Sequence, residues 1–293
     1  MMRHRLLPIA IGSMLAAATL VARQQAPATF RATADVVIVD VTVRSGRTAV
    51  TGLTPADFVL LDNGVAQKVD GTTIEQVPVD LTLILDVSDS TSPFIDDFKS
   101  RAQTINRMLR VGDRVRLVAV ASEVREVFPF RASGAALPVE ALRSLPGTAI
   151  NDALLLSLAR ASDPGRRQLI VTFTDAFDTS SVSSPSDVAA IAREASAVLH
   201  IALFGASAET DASIRLLRGA AEQTGGELYA PETFSNAVDA FKQVFEDFRH
   251  SYVLRYVPRG VRAEGWHDLT VSLANPGDRR YTIRARKGYV GGR

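Results

Sequence analysis

Residues 79–85 form an apolar run, Val-Asp-Leu-Thr-Leu-Ile-Leu, that drives straight into Asp86, Val87, Ser88, Asp89, Ser90 and Thr91. A buried strand that ends in a burst of small oxygen-bearing side chains delivers ligands to a point in space. Alternate residues of an extended segment face the same way, so Asp86, Ser88 and Ser90 can aim at one centre if the loop keeps that geometry. One carboxylate with two hydroxyls is a hard, all-oxygen set. It suits Mg²⁺, Ca²⁺ or Mn²⁺ far better than zinc or copper, which favour imidazole and thiolate.

Taken alone, D-x-S-x-S is a weak signal, because Ser and Asp are ordinary turn and cap residues. On the plainer reading, Thr91 or Ser92 merely caps the following helix, with Pro93 at its first position. Two distant segments shift the balance. Gly147 and Thr148 form a glycine turn and a threonine just before a helix start, and residues 169–174 form a second apolar strand ending in a carboxylate, Asp175. The polar loop Phe177, Asp178, Thr179, Ser180 and Ser181 follows, and either widens a binding face or forms a solvated turn.

These residues resemble the von Willebrand factor type A domain and its metal-ion-dependent adhesion site. The match consists of Asp86, Ser88 and Ser90, the later Thr148, and Asp175 after the middle strand. The resemblance implies that the hydroxyls and the threonine hold a divalent cation directly or through water, with the aspartates supporting it. An acidic group of a partner protein then fills the open coordination position. Mg²⁺ leads, with Ca²⁺ and Mn²⁺ open. Ala176 departs from the pattern, because many members carry glycine there; this touches loop conformation more than ligand chemistry. The opening Val-Asp-Val-Thr-Val, the stretch from Gly52 to Phe58, Asp62-Asn63-Gly64 and the ending around Arg286-Lys287-Gly288-Tyr289 also look like exported proteins of the acidobacterial type related to this domain.

The amino terminus bears on location. Residues 1–5 carry Arg3, His4 and Arg5, residues 6–21 are apolar and alanine-rich, and Ala22 offers a small residue at the end of the run. This reads as a secretory signal over residues 1–22, which places the mature chain in the periplasm, the outer envelope or the medium. The rival is an uncleaved anchor, although the run is slightly short for a spanning helix. No other segment is long enough to span a membrane. With no cysteine there is neither a disulfide framework nor a thiolate site. The formal charge is +1, and loss of Arg3 and Arg5 with the signal brings it to −1, so no field attracts nucleic acid.

Strand patterns lie at both ends of the chain: residues 34–44, then 57–61 and 65–69 on either side of the Asp62-Asn63-Gly64 turn signal, and 251–257, 268–273 and 281–285 at the other end. Between them strands and helices alternate regularly, with helical periodicity over 94–109, 149–161, 185–195, 211–223 and 236–248. The predicted fold is α/β: a doubly wound, mostly parallel sheet, with a smaller β module built from both chain ends. The predicted boundaries are 23–76 for the first β segment, 77–250 for the α/β domain and 251–293 for the last β segment. In such sheets ligands bind beyond the carboxyl ends of the strands, where Asp86 and Asp175 both fall.

Other chemistries find less support. An aspartyl-phosphate phosphatase would want a second aspartate two residues after the nucleophile, where Ser88 stands. Neither a glycine-rich nucleotide loop nor a G-x-S-x-G elbow is present. Of the four histidines, His200 reads as a hydrogen-bonded core residue and His267 as an ordinary strand start. Arg166 and Arg167 read as a solvated entry to a strand, and Asp89 as facing water. Without a matched general base, a hydrolase lacks its second participant. The sequence therefore predicts a non-enzymatic binding module that uses a divalent cation. The alternatives are a scaffold whose metal is incidental and, behind it, a metal-dependent phosphohydrolase.

Overall fold

The computed structural model describes residues 36–74, 77–204, 212–231 and 233–292; the signal assigned to residues 1–22 lies outside them. The first strands are β1 (Val37–Ser45), β2 (Thr48–Ala49), β3 (Phe58–Asp62), β4 (Val65–Gln67) and β5 (Gly71–Ile74). The middle of the chain runs β6 (Val79–Asp86), α1 (Ser92–Met108), β7 (Arg114–Val120), β8 (Val124–Ala132), α2 (Ile150–Leu158), β9 (Arg167–Thr174), α3 (Pro185–Glu194), β10 (Val198–Leu203), α4 (Ala212–Gln223), β11 (Leu228–Tyr229) and α5 (Phe234–Arg249). It closes with β12 (Tyr252–Tyr256), β13 (Gly265–Leu273), β14 (Thr282–Ala285) and β15 (Gly288–Gly291).

The central sheet has six strands in the order β11-β10-β9-β6-β7-β8. All neighbours are parallel except β8, which returns antiparallel from β7 at the edge. Every residue of β6, β9 and β10 is buried, as expected of strands covered on both faces. Leu81, Leu83, Leu85, Leu117 and Phe173 pack towards Phe98 of α1 and Phe241 and Phe245 of α5. On the opposite face Ile84, Ile170, Leu199 and Ile201 meet Leu154, Val188 and Leu217 from the other three helices. Each such large side chain, fully buried, contributes about 1.5–3 kcal/mol. The doubly wound sheet is therefore a closed three-layer core, and its functional groups can only emerge at the strand ends.

The chain ends do meet. β1 runs antiparallel between β12 and β14, with Val39 opposite Leu254 and Val43 opposite Ile283. β3 pairs with β13, placing Leu60 opposite Val271. Two small sheets, β14-β1-β12-β5 and β15-β13-β3-β4, share a core of Val39, Val41, Phe58, Leu60, Tyr252, Leu254 and Tyr256.

Expectations for four residues are corrected inside this frame. His267 is no ordinary strand start but lies buried, its Nδ1 2.7 Å from Asp62 Oδ1. The phenols of Tyr256 and Tyr289 donate to Asp62 Oδ2 at 2.8 and 3.0 Å, so both chain ends contribute to one buried polar network. His200 is buried, but its Nδ1 has no hydrogen-bond partner among the described residues; burial pushes its pKa down to about 3 and keeps it neutral. Arg166 and Arg167 are not solvated: Arg166 Nε pairs with Asp80 at 2.6 Å, and an Arg167 terminal nitrogen pairs with Asp40 at 2.6 Å.

Candidate metal-binding edge

Asp86 is the last residue of β6, and its side chain is almost wholly enclosed, with the residue 1% exposed. Both carboxylate oxygens are held. The Ser88 N–H donates to Oδ1 at 2.9 Å, and the Thr174 hydroxyl at the end of β9 donates to Oδ2 at 2.7 Å. Burial raises the Asp86 pKa above the ordinary carboxylate value, the bonds from Ser88 and Thr174 oppose that rise, and the negative charge of Asp175 adds to it. The two strand-end aspartates are thus close enough to repel each other.

After Asp86 the chain enters a short 3-10 turn, Asp89–Thr91, before α1 begins. Ser88 Oγ and Ser90 Oγ lie 3.1 Å apart, so the two hydroxyls of the motif converge as their spacing predicts. Thr91 does not cap α1 through its side chain. Its hydroxyl instead donates to the backbone oxygens of Asp86 at 2.8 Å and Ser88 at 3.0 Å, fixing the loop from beneath. Asp89 points away from the set and accepts a hydrogen bond from Ser144 Oγ at 2.6 Å.

Thr148 reaches the same edge by a different route. Ala149 N–H donates to Ala121 O at 2.7 Å, and Ser122 N–H to Pro146 O at 3.0 Å, which ties the glycine turn to the end of β7. Gly147 has φ +77°, and a Cβ there would sit 2.7 Å from Ser180 Oγ and 3.2 Å from the Ser122 backbone, so the turn demands glycine. Thr148 is buried, and its main chain is bound to the loop after Asp175: Thr179 and Ser180 N–H donate to Thr148 O at 2.9 Å each, while Thr148 N–H donates to Thr179 Oγ1 at 3.0 Å. Its hydroxyl has no protein partner among the described residues.

The loop after Asp175 is therefore not a free solvated turn but is bonded to the Thr148 segment and to α2. Asp178 Oδ2 accepts from the Asn151 N–H at 2.9 Å, at the first turn of α2, where a carboxylate meets unpaired N–H groups and the positive helix end. Asp152 returns the favour by accepting from Val182 and Ser183 N–H at 3.0 and 2.8 Å. Burial pushes the Asp152 pKa up, but the hydrogen bonds from Ser183 and Val182 outweigh it and leave the carboxyl below its usual range. Ala176 takes φ +57°, a left-handed conformation that glycine would adopt without steric cost. Phe177 and Val182 of this loop stand out at 73% and 98% exposure.

The donor set suits a hard divalent cation. It is all oxygen, it includes two carboxylates whose mutual repulsion a cation would offset, and it includes a threonine hydroxyl without a protein partner. Another buried oxygen on the first turn of α2, Asn151 Oδ1, also lacks a partner among the described residues. Among the described residues no three carboxylate, imidazole or thiol groups gather as a metal cluster, so this set relies on its hydroxyls. Thr174 escaped sequence reading. A threonine inside an apolar run is an ordinary β-former, and only the side-by-side pairing of β6 and β9 reveals its role.

A family model described as the von Willebrand factor type A domain matches residues 80–246. Among solved structures, a von Willebrand factor type A protein from Catenulispora acidiphila aligns with TM-score 0.50 and 14% identity, covering 89% of this chain and 75% of that one. The ArnB paralog VWA2 from Sulfolobus acidocaldarius aligns with TM-score 0.47 and 11% identity over 85% of this chain and 75% of that one. The pilus adhesin SpaC from Lactobacillus rhamnosus GG, in its open conformation, gives TM-score 0.49 and 11% identity over 85% of this chain and 47% of that one. At 14% identity the likeness to the Catenulispora acidiphila protein is one of fold. No curated protein matches.

Proposed function

The chain belongs to the von Willebrand factor type A domain family, and from that premise we propose that it is an exported, non-enzymatic protein-binding module of the adhesion type. In this reading Asp86, Ser88, Ser90, Thr148 and Asp175 hold a divalent cation, Mg²⁺ in the first place, that engages a carboxylate of a partner protein. The observation that carries the proposal is the convergence at one sheet edge: paired serine hydroxyls beside a buried carboxylate that feels a second one.

When bound, the cation supplies a Lewis-acid contact to an incoming carboxylate. The protein's own part is positional. Thr174 and Ser88 hold the Asp86 carboxylate, Thr91 holds the loop, and Asp178 and Asp152 lock the Asp175 loop onto α2 so that Thr148 stays at the edge. Exposed Phe177 and Val182 add apolar contact area beside it. None of the described helices is long and apolar enough to cross a membrane.

Calorimetric titration with Mg²⁺, Ca²⁺ and Mn²⁺ tests the cation step. Saturable binding is expected in the natural chain and its loss in Asp86→Ala, with the fold retained. Unchanged cation affinity in that variant would remove Asp86 from the site.

A further inference from the structure

At the opposite end of the central sheet, where β9 and β10 begin, a cavity of about 320 Å³ opens between Arg167, Gln168 and Val198 and the outward face of the β1–β12 pair. Strand alternation explains that face: Val39, Leu254 and Tyr256 turn into the core of the small sheets, while Ile38, Asp40, Val253 and Arg255 turn towards the cavity. The volume lies at the small end of the range for pockets that enclose small molecules.

Its charge is lopsided. Four guanidinium groups line it, from Arg166, Arg167, Arg255 and Arg286, against the carboxylates of Asp40 and Asp163. Arg166 and Arg167 are paired, with Asp80 and Asp40. Arg255 and Arg286 have no carboxylate at ion-pair distance among the described residues. Among the described residues, the Arg286 side chain donates to the backbone oxygens of Gly288 at 2.7 Å and Arg193 at 3.4 Å. Burial pulls the Arg286 pKa down, and the negative charge of Asp40 opposes that, so its charge is held in poor solvent with too little compensation. Two further polar atoms of residues in the wall are buried without a hydrogen-bond partner among the described residues: Nε of Arg167, a residue 9% exposed, and Oε1 of Gln168, 7% exposed.

From these observations we infer that the cavity binds a small organic carboxylate, its anionic head on Arg286 and Arg255 and its apolar body against Ile38, Val198 and Val253. A guanidinium fork matches a carboxylate with two parallel hydrogen bonds. The apolar wall rejects a bare inorganic ion, whose remaining oxygens would lose their water without replacement. This site is independent of the cation edge, because it lies at the other ends of the same strands.

Octanoate serves as the probe, titrated calorimetrically into the full chain in EDTA so that no carboxylate binds through a metal. One-to-one saturable binding is expected, with octanol at least tenfold weaker for want of the charge. Arg286→Gln is expected to weaken octanoate at least tenfold, and so is Arg255→Gln, whose exposed position leaves folding undisturbed; Asp86→Ala should bind it as the natural chain does. Absence of saturable binding at millimolar octanoate, equal binding of octanol, or full affinity in both glutamine variants would overturn the assignment.

Discussion

Thr174→Val exchanges one branched side chain for another of nearly the same shape and deletes a hydroxyl that is wholly buried. That hydroxyl donates to Asp86 Oδ2 at 2.7 Å and accepts from the Ala176 N–H at 2.9 Å. Loss of a hydrogen bond to a carboxylate costs about 1.5–3 kcal/mol, and the stranded N–H adds about 1 kcal/mol. At roughly 2–4 °C per kcal/mol for a chain of this size, the metal-free protein should melt roughly 5–15 °C lower. The effect on the cation is separate. Removing the group that orients a ligand typically weakens metal binding about 10–100-fold, or about 1.4–2.8 kcal/mol. The pH profile supplies the decisive signature. Burial raises the native pKa of Asp86 and the Thr174 bond holds it back, so the variant's Asp86 should titrate higher still. A raised native pKa stabilises the metal-free fold below the unfolded value, and that contribution is lost as pH rises through the native one. Cation binding requires the ionised carboxylate, so affinity should climb with pH through the Asp86 range, and in Thr174→Val the climb should move to higher pH. Mg²⁺ titrations at stepped pH, with melts in EDTA alongside, read all three effects. Mg²⁺ affinity equal to the natural chain's at every pH would refute the role given to Thr174.

Three other perturbations probe the frame around the site. Asp62→Ala strips the acceptor from His267, Tyr256 and Tyr289 and should cost about 3–5 kcal/mol in urea unfolding, with Asp62→Asn costing less; a change under about 1 kcal/mol would mean that the network contributes little. Gly147→Ala places a Cβ against Ser180 and Ser122 in a left-handed turn and should destabilise by about 1–3 kcal/mol while weakening the cation through Thr148. Ala176→Gly relieves the φ of +57° and should raise the melting temperature slightly, by the equivalent of up to about 1 kcal/mol, because the extra freedom of the unfolded glycine takes back part of the gain.

Much of this is legible in the sequence. The two apolar runs ending in Asp86 and Asp175 are the neighbouring strands β6 and β9, and strict strand–helix alternation left little choice but a doubly wound sheet. The antiparallel edge strand β8 follows from its short connection to β7, which admits a hairpin but not a crossover. What stayed hidden depends on contacts between distant segments. Thr174 and Thr91 are ordinary residues until β6 and the turn after it present backbone and carboxylate oxygens to them. The roles of His267 and Arg167 stay hidden in sequence, because Asp62 reaches His267 only through the pairing of β3 with β13, and Asp40 of β1 reaches Arg167 only where β1 lies beside the start of β9. Strands β5 and β15 are hidden as well, since Gly71 and Gly288 dilute the apolar alternation that marks a strand.

Capture from an envelope extract on the immobilised chain, run in Mg²⁺ and again in EDTA, tests most directly whether a cation at the Asp86 edge is the means of binding. The account predicts a partner retained in Mg²⁺, released by EDTA, and never retained by Asp86→Ala or Thr148→Ala chains that melt as folded proteins. Metal-dependent stability without metal-dependent capture would favour a scaffold. Capture that survives EDTA, with full affinity in both variants, would contradict the cation-bridged mechanism and shift attention to the paired strands of the two chain ends.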